Sequence, residues 1–204
     1  MTKLRSILSI LVGLFIVFGL LSCASTPKVT RTEVTEQIDL SGNWNDTDSR
    51  LVAQEMISDC LQRPWITEFI TKSTEKPRLI VGKILNKSHE HINTETFVKD
   101  LERELINSGQ VKFVASSAQR REIRQERMEQ AEHASMETAK SMGQEYGADF
   151  MIKGQINTIL DEAGKYQLKY YQTELELINI ETNEKVWIGQ KKIKKTVKRR
   201  KSKL

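Results

Sequence analysis

Two histidines two residues apart, His89 and His91 with Glu90 between them, come nearest to a metal-ligand pattern in this 204-residue chain. On a strand such a pair can share a metal, but a site needs a third ligand and groups that orient the rings. The pair lies in a polar run, Asn86 to Asn93, that reads as a solvated loop, so no metal is expected. His133 stands among polar residues and suggests no chemistry. Cys60 falls on an apolar spacing with no activating cation nearby, the setting of a packed thiol rather than a nucleophile. Carboxylates are plentiful, yet they alternate with Lys and Arg as solvated helix faces do, and no acid–base pair stands out. P-loop, nucleophile elbow and dinucleotide-binding glycine fingerprint are all missing from the sequence. The expectation is a protein that is not an enzyme and carries no cofactor.

Cys23 is in a different setting. Lys3 and Arg5 precede an uncharged apolar run from Ile7 to Leu21, the layout of a signal peptide. A membrane-spanning helix needs about 20 predominantly apolar residues, and this run is shorter. Leu20-Leu21-Ser22-Cys23 resembles the bacterial lipobox, in which the cysteine is acylated before cleavage. Residues 1–22 then form a lipoprotein signal peptide and Cys23 is the lipid attachment site. Each buried methylene contributes about 0.8 kcal/mol, so several acyl chains hold such a protein on a membrane. Ala24, rather than an aspartate, follows the cysteine, which points to the outer membrane with the domain facing the periplasm.

Those residues need a scaffold, and the remainder of the chain supplies one. With 38% hydrophobic and 29% charged residues it can form one globular domain. Three prolines exclude collagen-like or mucin-like chains, and two cysteines exclude a disulfide framework. Residues 23–45 read as the lipidated N-terminus and a flexible tether. Fully extended, a tether of that length reaches roughly 75 Å; as a coil it spans about 25 Å. The globular domain is placed at 46–195. It opens with a helix capped by Asp46 and Asp48 that carries Val52, Met56 and Cys60 on one face, and Pro64 starts a second helix. A strand over 78–84, a helix capped at Asn93-Thr94 with the stripe Phe97, Leu101 and Leu105, and a strand over 111–114 imply a parallel crossover. Ser116 to Gln119 is a capping box that opens a charged, solvated helix. A short helix is expected over 136–146. An antiparallel meander follows, with strands around Phe150–Ile156, Tyr166–Leu177 and Lys185–Ile193; Tyr166, Leu168 and Tyr170 are read as alternating into Leu175 and Leu177. The fold class is α/β: a mixed sheet, half parallel βαβ and half antiparallel, flanked by helices.

Nine basic residues and no acid lie between Lys191 and Leu204, whereas the chain as a whole is only +5. An acidic domain therefore ends in a basic tail, residues 196–204. Nucleic acid is the usual partner of such a run but is not expected for an exported lipoprotein. Anionic lipid head groups fit better, at about 1 kcal/mol per basic residue. Lys194, Lys195, Lys198, Arg199, Arg200 and Lys201 are the candidates for that anionic-surface contact; a solvated tail with no ligand is the alternative.

Gly147-Ala-Asp-Phe-Met-Ile-Lys-Gly154, then Ile180-Glu-Thr-Asn-Glu-Lys-Val-Trp-Ile-Gly189 with Ile193-Lys-Lys195, resembles the closing half of the LpoB-type penicillin-binding-protein activators. Ile84 to Ser88, with Ile92 and Asn93-Thr94 ahead of a helix, is similar to their first strand and loop, and Gly109 to Ser116 also matches. The resemblance covers about residues 46 to 195. It implies a fold similar to the N-terminal domain of TolB and, more distantly, to the secretion lipoprotein CsgG. It further implies an outer-membrane lipoprotein that stimulates a class A penicillin-binding protein through a noncatalytic periplasmic docking domain; a monomeric domain is expected. Two departures are visible: enteric members have long, proline-rich tethers whereas residues 24 to 45 are short, and the charged helix after Gln119 and the basic tail are not carried over from the family. For the partner contact, the sheet's polar strand edges with the polar loop are the expected surface, the loop contributing Asn86, Lys87, Ser88, His89 and Asn93, because loops on a rigid scaffold commonly carry binding. A subunit of a CsgG-like export assembly is the alternative; it requires hairpins able to close a barrel.

Overall fold

The computed structural model describes residues 29–135, 137, 138, 140 and 145–198. The chain divides into two units, Met1–Glu36 and Gln37–Leu204. Of the first, the described residues 29–36 hold one turn, in which the Glu36 N–H donates to the Glu33 carbonyl at 3.0 Å.

Every helix and strand described belongs to the second unit. Helix α1 (Asp46–Leu61) is capped by Asn45 rather than by Asp46 or Asp48: the Asn45 side chain accepts from the Asp48 N–H, and the Asp48 carboxylate accepts from the Asn45 N–H, each at 3.0 Å. Its inner face buries Val52, Ala53, Met56, Ile57 and Cys60. Helix α2 (Pro64–Ser73) begins on a proline, whose missing N–H costs nothing in the first turn. Trp65 of α2 donates its indole N–H to the Cys60 carbonyl at 2.7 Å and packs edge-on to Phe150. Burial raises the Cys60 thiol to about 12, so it stays protonated. Helix α3 (Thr94–Asn107) is capped by Asn93 and buries Phe97, Leu101 and Leu105 completely. Those three side chains contribute about 1.5–3 kcal/mol each.

The helices α1 and α3 pack on one face of a five-stranded sheet: β1 (Arg78–Lys87), β2 (Lys112–Phe113), β3 (Phe150–Ala163), β4 (Tyr166–Asn179) and β5 (Lys185–Lys198). The order is β2-β1-β3-β4-β5. β1 runs parallel to β2 and β3, while β3, β4 and β5 form the antiparallel meander. The mixed α/β architecture is the expected one. Between β2 and β3 stands α4 (Ser117–His133), opened by the Ser116–Gln119 capping box and exposed along its length, as its charge pattern predicts. The helix expected over 136–146 lies largely outside the described residues; Glu145 and Tyr146 are not helical.

Two boundaries differ from expectation. β5 continues to Lys198, because its last residues pair in register with β4 as far as Tyr166↔Lys198. Residues 38–45 are not free tether: Trp44 packs edge-on to Phe97 and Tyr171, and residues 39–43 bond to β4 and β5. Apolar periodicity misses this segment because what docks it is a polar seam.

Candidate interaction surface

Strand alternation sets which side chains of β4 and β5 meet the helices. In β4 the covered set is Gln167, Lys169, Tyr171, Thr173, Leu175 and Leu177, all buried. Tyr166, Leu168 and Tyr170, read from sequence as part of that set, are one residue out of phase with Leu175 and lie on the opposite, open face. In place of those apolar residues, the covered face carries Lys169 directly opposite Lys195 of β5.

Like charges placed opposite each other across a strand pair repel. Here three carboxylates neutralise them. Glu90, from the loop after β1, accepts from Lys169 Nζ at 2.7 Å, from the Tyr171 hydroxyl at 2.8 Å and from the Trp44 N–H at 3.1 Å. Lys169 also bonds the Asn43 side chain, and the Tyr171 hydroxyl lies 3.1 Å from the Gly42 carbonyl. Lys195 Nζ reaches Asp39 and Asp48, both at 2.6 Å, and the Asn43 carbonyl at 3.2 Å. Farther along β5, Lys191 pairs with Glu55 of α1.

The charge states follow from these partners. Burial pushes the Glu90 carboxyl up, but donation from Lys169, Tyr171 and Trp44 outweighs it and holds the group below the usual carboxylate range. Asp39 is lowered, chiefly by its bond from Lys195. For Asp48 burial wins and the pKa rises despite Lys195. Burial depresses the Lys195 ammonium, yet Asp39 and Asp48 more than compensate and its pKa rises. Burial, followed by Glu90, pushes the Tyr171 phenol far above its ordinary value. Shifted acids of this kind can signal catalysis. Here each is engaged by internal donors, and the cluster works as a clamp on residues 39–44 and the loop. A larger concavity, of about 730 Å³ along α4, is lined by exposed charged residues such as Glu122, Arg127 and Lys140.

The loop residues expected to bind a partner have mostly local tasks. The Asn86 side chain accepts from the Ser88 N–H and hydroxyl and donates to the Glu90 carbonyl. His89 Nδ1 lies 2.9 Å from the Thr158 hydroxyl, and Asn93 caps α3. Lys87 is exposed and has no ion pair among the described residues. His89 and His91 gather no third ligand: among the described residues, no group of three or more His, Cys, Asp or Glu is placed to hold a metal ion. Of the basic residues, Lys194 and Lys198 are exposed on the open face. Lys195 is not available to a lipid surface, because its ammonium is turned inward between Asp39 and Asp48. Arg199, Arg200, Lys201 and Cys23 lie outside the described residues. Lys169, Tyr171, Asn43 and Glu90 were the residues that sequence reading missed. The available signal was phase: Lys169 and Tyr171 share parity with Leu175 and Leu177.

The chain matches the family model "Peptidoglycan-synthase activator LpoB" over residues 48–193. Comparison with curated protein sequences gives no match. Among solved structures, the LpoB C-terminal domain from Salmonella enterica is 17% identical with a TM-score of 0.43, covering 72% of this chain and 98% of its own. LpoB from Escherichia coli, solved by NMR, is 13% identical with a TM-score of 0.42, covering 88% and 85%. A lipoprotein from Neisseria meningitidis is 10% identical with a TM-score of 0.37, covering 59% and 83%. The family match spans β1 to β4 and β5 as far as Ile193, leaving Asp39 to Trp44 and Lys195 of the clamp outside it, and on it the chain belongs to the LpoB family of peptidoglycan-synthase activators.

Proposed function

We propose that this chain is an acylated outer-membrane lipoprotein that stimulates a class A penicillin-binding protein by binding its noncatalytic periplasmic docking domain. The observation that carries the reading is the family match over residues 48–193. Attachment is assigned to acyl chains on Cys23 because Leu20-Leu21-Ser22-Cys23 resembles a lipobox; among the described residues no helix is long and apolar enough to cross a membrane. The alternative export-assembly reading draws no support from the comparisons.

The docked segment shortens the tether. Only about 15 residues separate Cys23 from Ile38, which reach at most about 50 Å when fully extended and about 20 Å as a coil. The synthase's docking domain must therefore stand well out from its own membrane. The exposed rim of the 86–93 loop, with Lys87, His89 and Asn93, is held at a fixed position by Glu90 and is the contact surface we assign. The test is to mix the purified protein with the class A synthases of its source organism and follow glycan polymerisation and crosslinking. Stimulation is expected, reduced several-fold in Lys87→Glu with folding unchanged. No binding and no change of either activity with every such synthase would sink the reading. Cys23→Ser should abolish metabolic palmitate labelling; equal labelling would remove the anchor.

A further inference from the structure

Beyond Asn157 the β1–β3 pairing stops, and the rest of β3 with the start of β4 and the end of β5 extends as a hairpin and third strand. On its open face three successive rows lie across the strands: Ile159–Tyr170–Lys194, Asp161–Leu168–Thr196 and Ala163–Tyr166–Lys198. The patch measures about 14 Å along the strands by about 10 Å across. Apolar and aromatic side chains occupy its centre: Ile159 is 64% exposed and Tyr166 48%, unlike their covered neighbours Tyr171 and Ile156, at 1% and 0%. Basic side chains occupy one margin. Lys194 and Lys198, with Lys192 one row back, are exposed and make no ion pair among the described residues. Lys198 and Lys165 stand 5.9 and 5.6 Å from the Tyr166 ring centre. Asp161 is the acid within the rows.

We propose that this open face is a docking surface for an anionic phospholipid bilayer, with Tyr166, Tyr170 and Ile159 settling at the head-group level and Lys194 and Lys198 on the lipid phosphates. Tyrosine suits that depth, with an apolar ring and a polar tip, and long lysines place their stems on apolar surface while the ammonium stays wet. Two further observations select a membrane over an acidic protein. The chain enters the domain at this same end of the sheet, since Asp39 pairs with Lys195 and Gly42 lies against Val197. In sequence, the residues after Lys198, Arg-Arg-Lys-Ser-Lys-Leu, add four basic residues. The entry argument rests on the proposed Cys23 anchor, whereas the activator role is not used.

The test uses the unacylated chain from residue 24, which contains every core residue, and vesicles of phosphatidylethanolamine with or without phosphatidylglycerol. Binding is expected only with phosphatidylglycerol, and it weakens as salt rises. The double variant Lys194→Gln/Lys198→Gln should bind about thirtyfold more weakly, at about fivefold per lysine. Tyr166→Ser, which keeps every charge, should also weaken binding, while Lys185→Gln, beside Glu176 at the far end of the sheet, should not. Circular dichroism and the unfolding midpoint confirm that each variant is folded. Equal affinity for both vesicle types overturns the proposal, as does no binding to either. Loss on removing residues 199–204 with full affinity in Tyr166→Ser moves the contact to the tail and likewise overturns it.

Discussion

The start of β4 and the second half of β5 present lysines to two sides of one sheet. Lys169, Lys191 and Lys195 face the helices, and each is matched to a carboxylate from elsewhere in the chain: Glu90, Glu55, and Asp39 with Asp48. Lys194 and Lys198, one residue out of step, face outward with no ion pair among the described residues, as does Lys192, whose charge acts on Glu174 without forming one. Residue type is the same on both sides, and Lys191 and Lys195 share β5 with the outward set. What separates them is whether the fold brings an acid to the ammonium, since a buried charge demands one and an exposed charge does not. The inward lysines therefore act on stability and the outward ones on what the surface can meet. A lysine-bearing edge strand also discourages edge-to-edge pairing, a second use for the outward set that leaves folding untouched.

The sharpest way to break the comparison is to remove an inward ammonium. Lys169→Ala leaves Glu90 partly buried with one cation fewer and should cost about 3 kcal/mol or more, read as a lowered urea midpoint. The double variant Glu90→Leu/Lys169→Met removes both charges together and should recover much of that loss. A double variant as unstable as Lys169→Ala would show that packing, and not charge pairing, holds this corner.

The next effect tests whether residues 39–44 belong to the clamp. Gly42 has φ +73°, and a Cβ there would fall on the Val197 side chain. Gly42→Ala should cost about 1–2 kcal/mol from backbone strain and crowding together. It should also make the peptide bonds around residue 42 more open to proteolysis. An unchanged midpoint would return the segment to the tether.

Acid should separate the two sides more gently. The folded-state values of Glu90 and Asp39 lie below their unfolded ones, so their stabilisation is present above about pH 4 and is lost as pH falls through the lowered values. Asp48, raised by burial, works in the opposite sense, since its protonation relieves a cost and blunts the acid limb. Lys195 is raised, so its contribution holds through neutral pH and fades only as pH climbs past that raised value. Urea midpoints across pH should thus be flat near neutrality and fall below about pH 4. Glu90→Gln should flatten part of that fall, whereas Lys194→Gln should leave the profile unchanged. A profile identical in Glu90→Gln and the parent chain would take Glu90 out of the clamp.

Much of this was legible in the sequence, and the failures share one cause. The α3 stripe, the Ser116 cap, the parallel crossover and the meander follow local rules of spacing and capping, and all are present. The phase of β4 near Tyr166 is legible only from its parity with Leu175 and Leu177, because hydrophobicity there points the wrong way. Tyr166 and Leu168 are more apolar than Gln167 and Lys169, yet they face out. Lys169 is affordable inside only because Glu90 and Asn43, 79 and 126 residues away in sequence, come to meet it. Pairing at that separation leaves no periodic trace. The loop residues Asn86 and Ser88 are polar groups on a scaffold, and what they satisfy is one another.

The smallest expected effect belongs to the outward side and is the one that sharpens the comparison most. Lys194 is directly across from Tyr170 on the open face, exposed, with no carboxylate in reach among the described residues. Truncation there removes neither a buried partner nor a packed methylene stem, so Lys194→Ala should move the unfolding midpoint by no more than about 0.5 kcal/mol. Relieving repulsion along a strand that also carries Lys192 and Lys198 favours a slight gain over a loss. Binding to phosphatidylglycerol vesicles by the same variant should still fall about fivefold, because an unpaired surface charge is fully available to a second surface. A destabilisation as large as that of Lys169→Ala would mean that the outward lysines are also part of the fold, and the division between the two sides of β5 would fail.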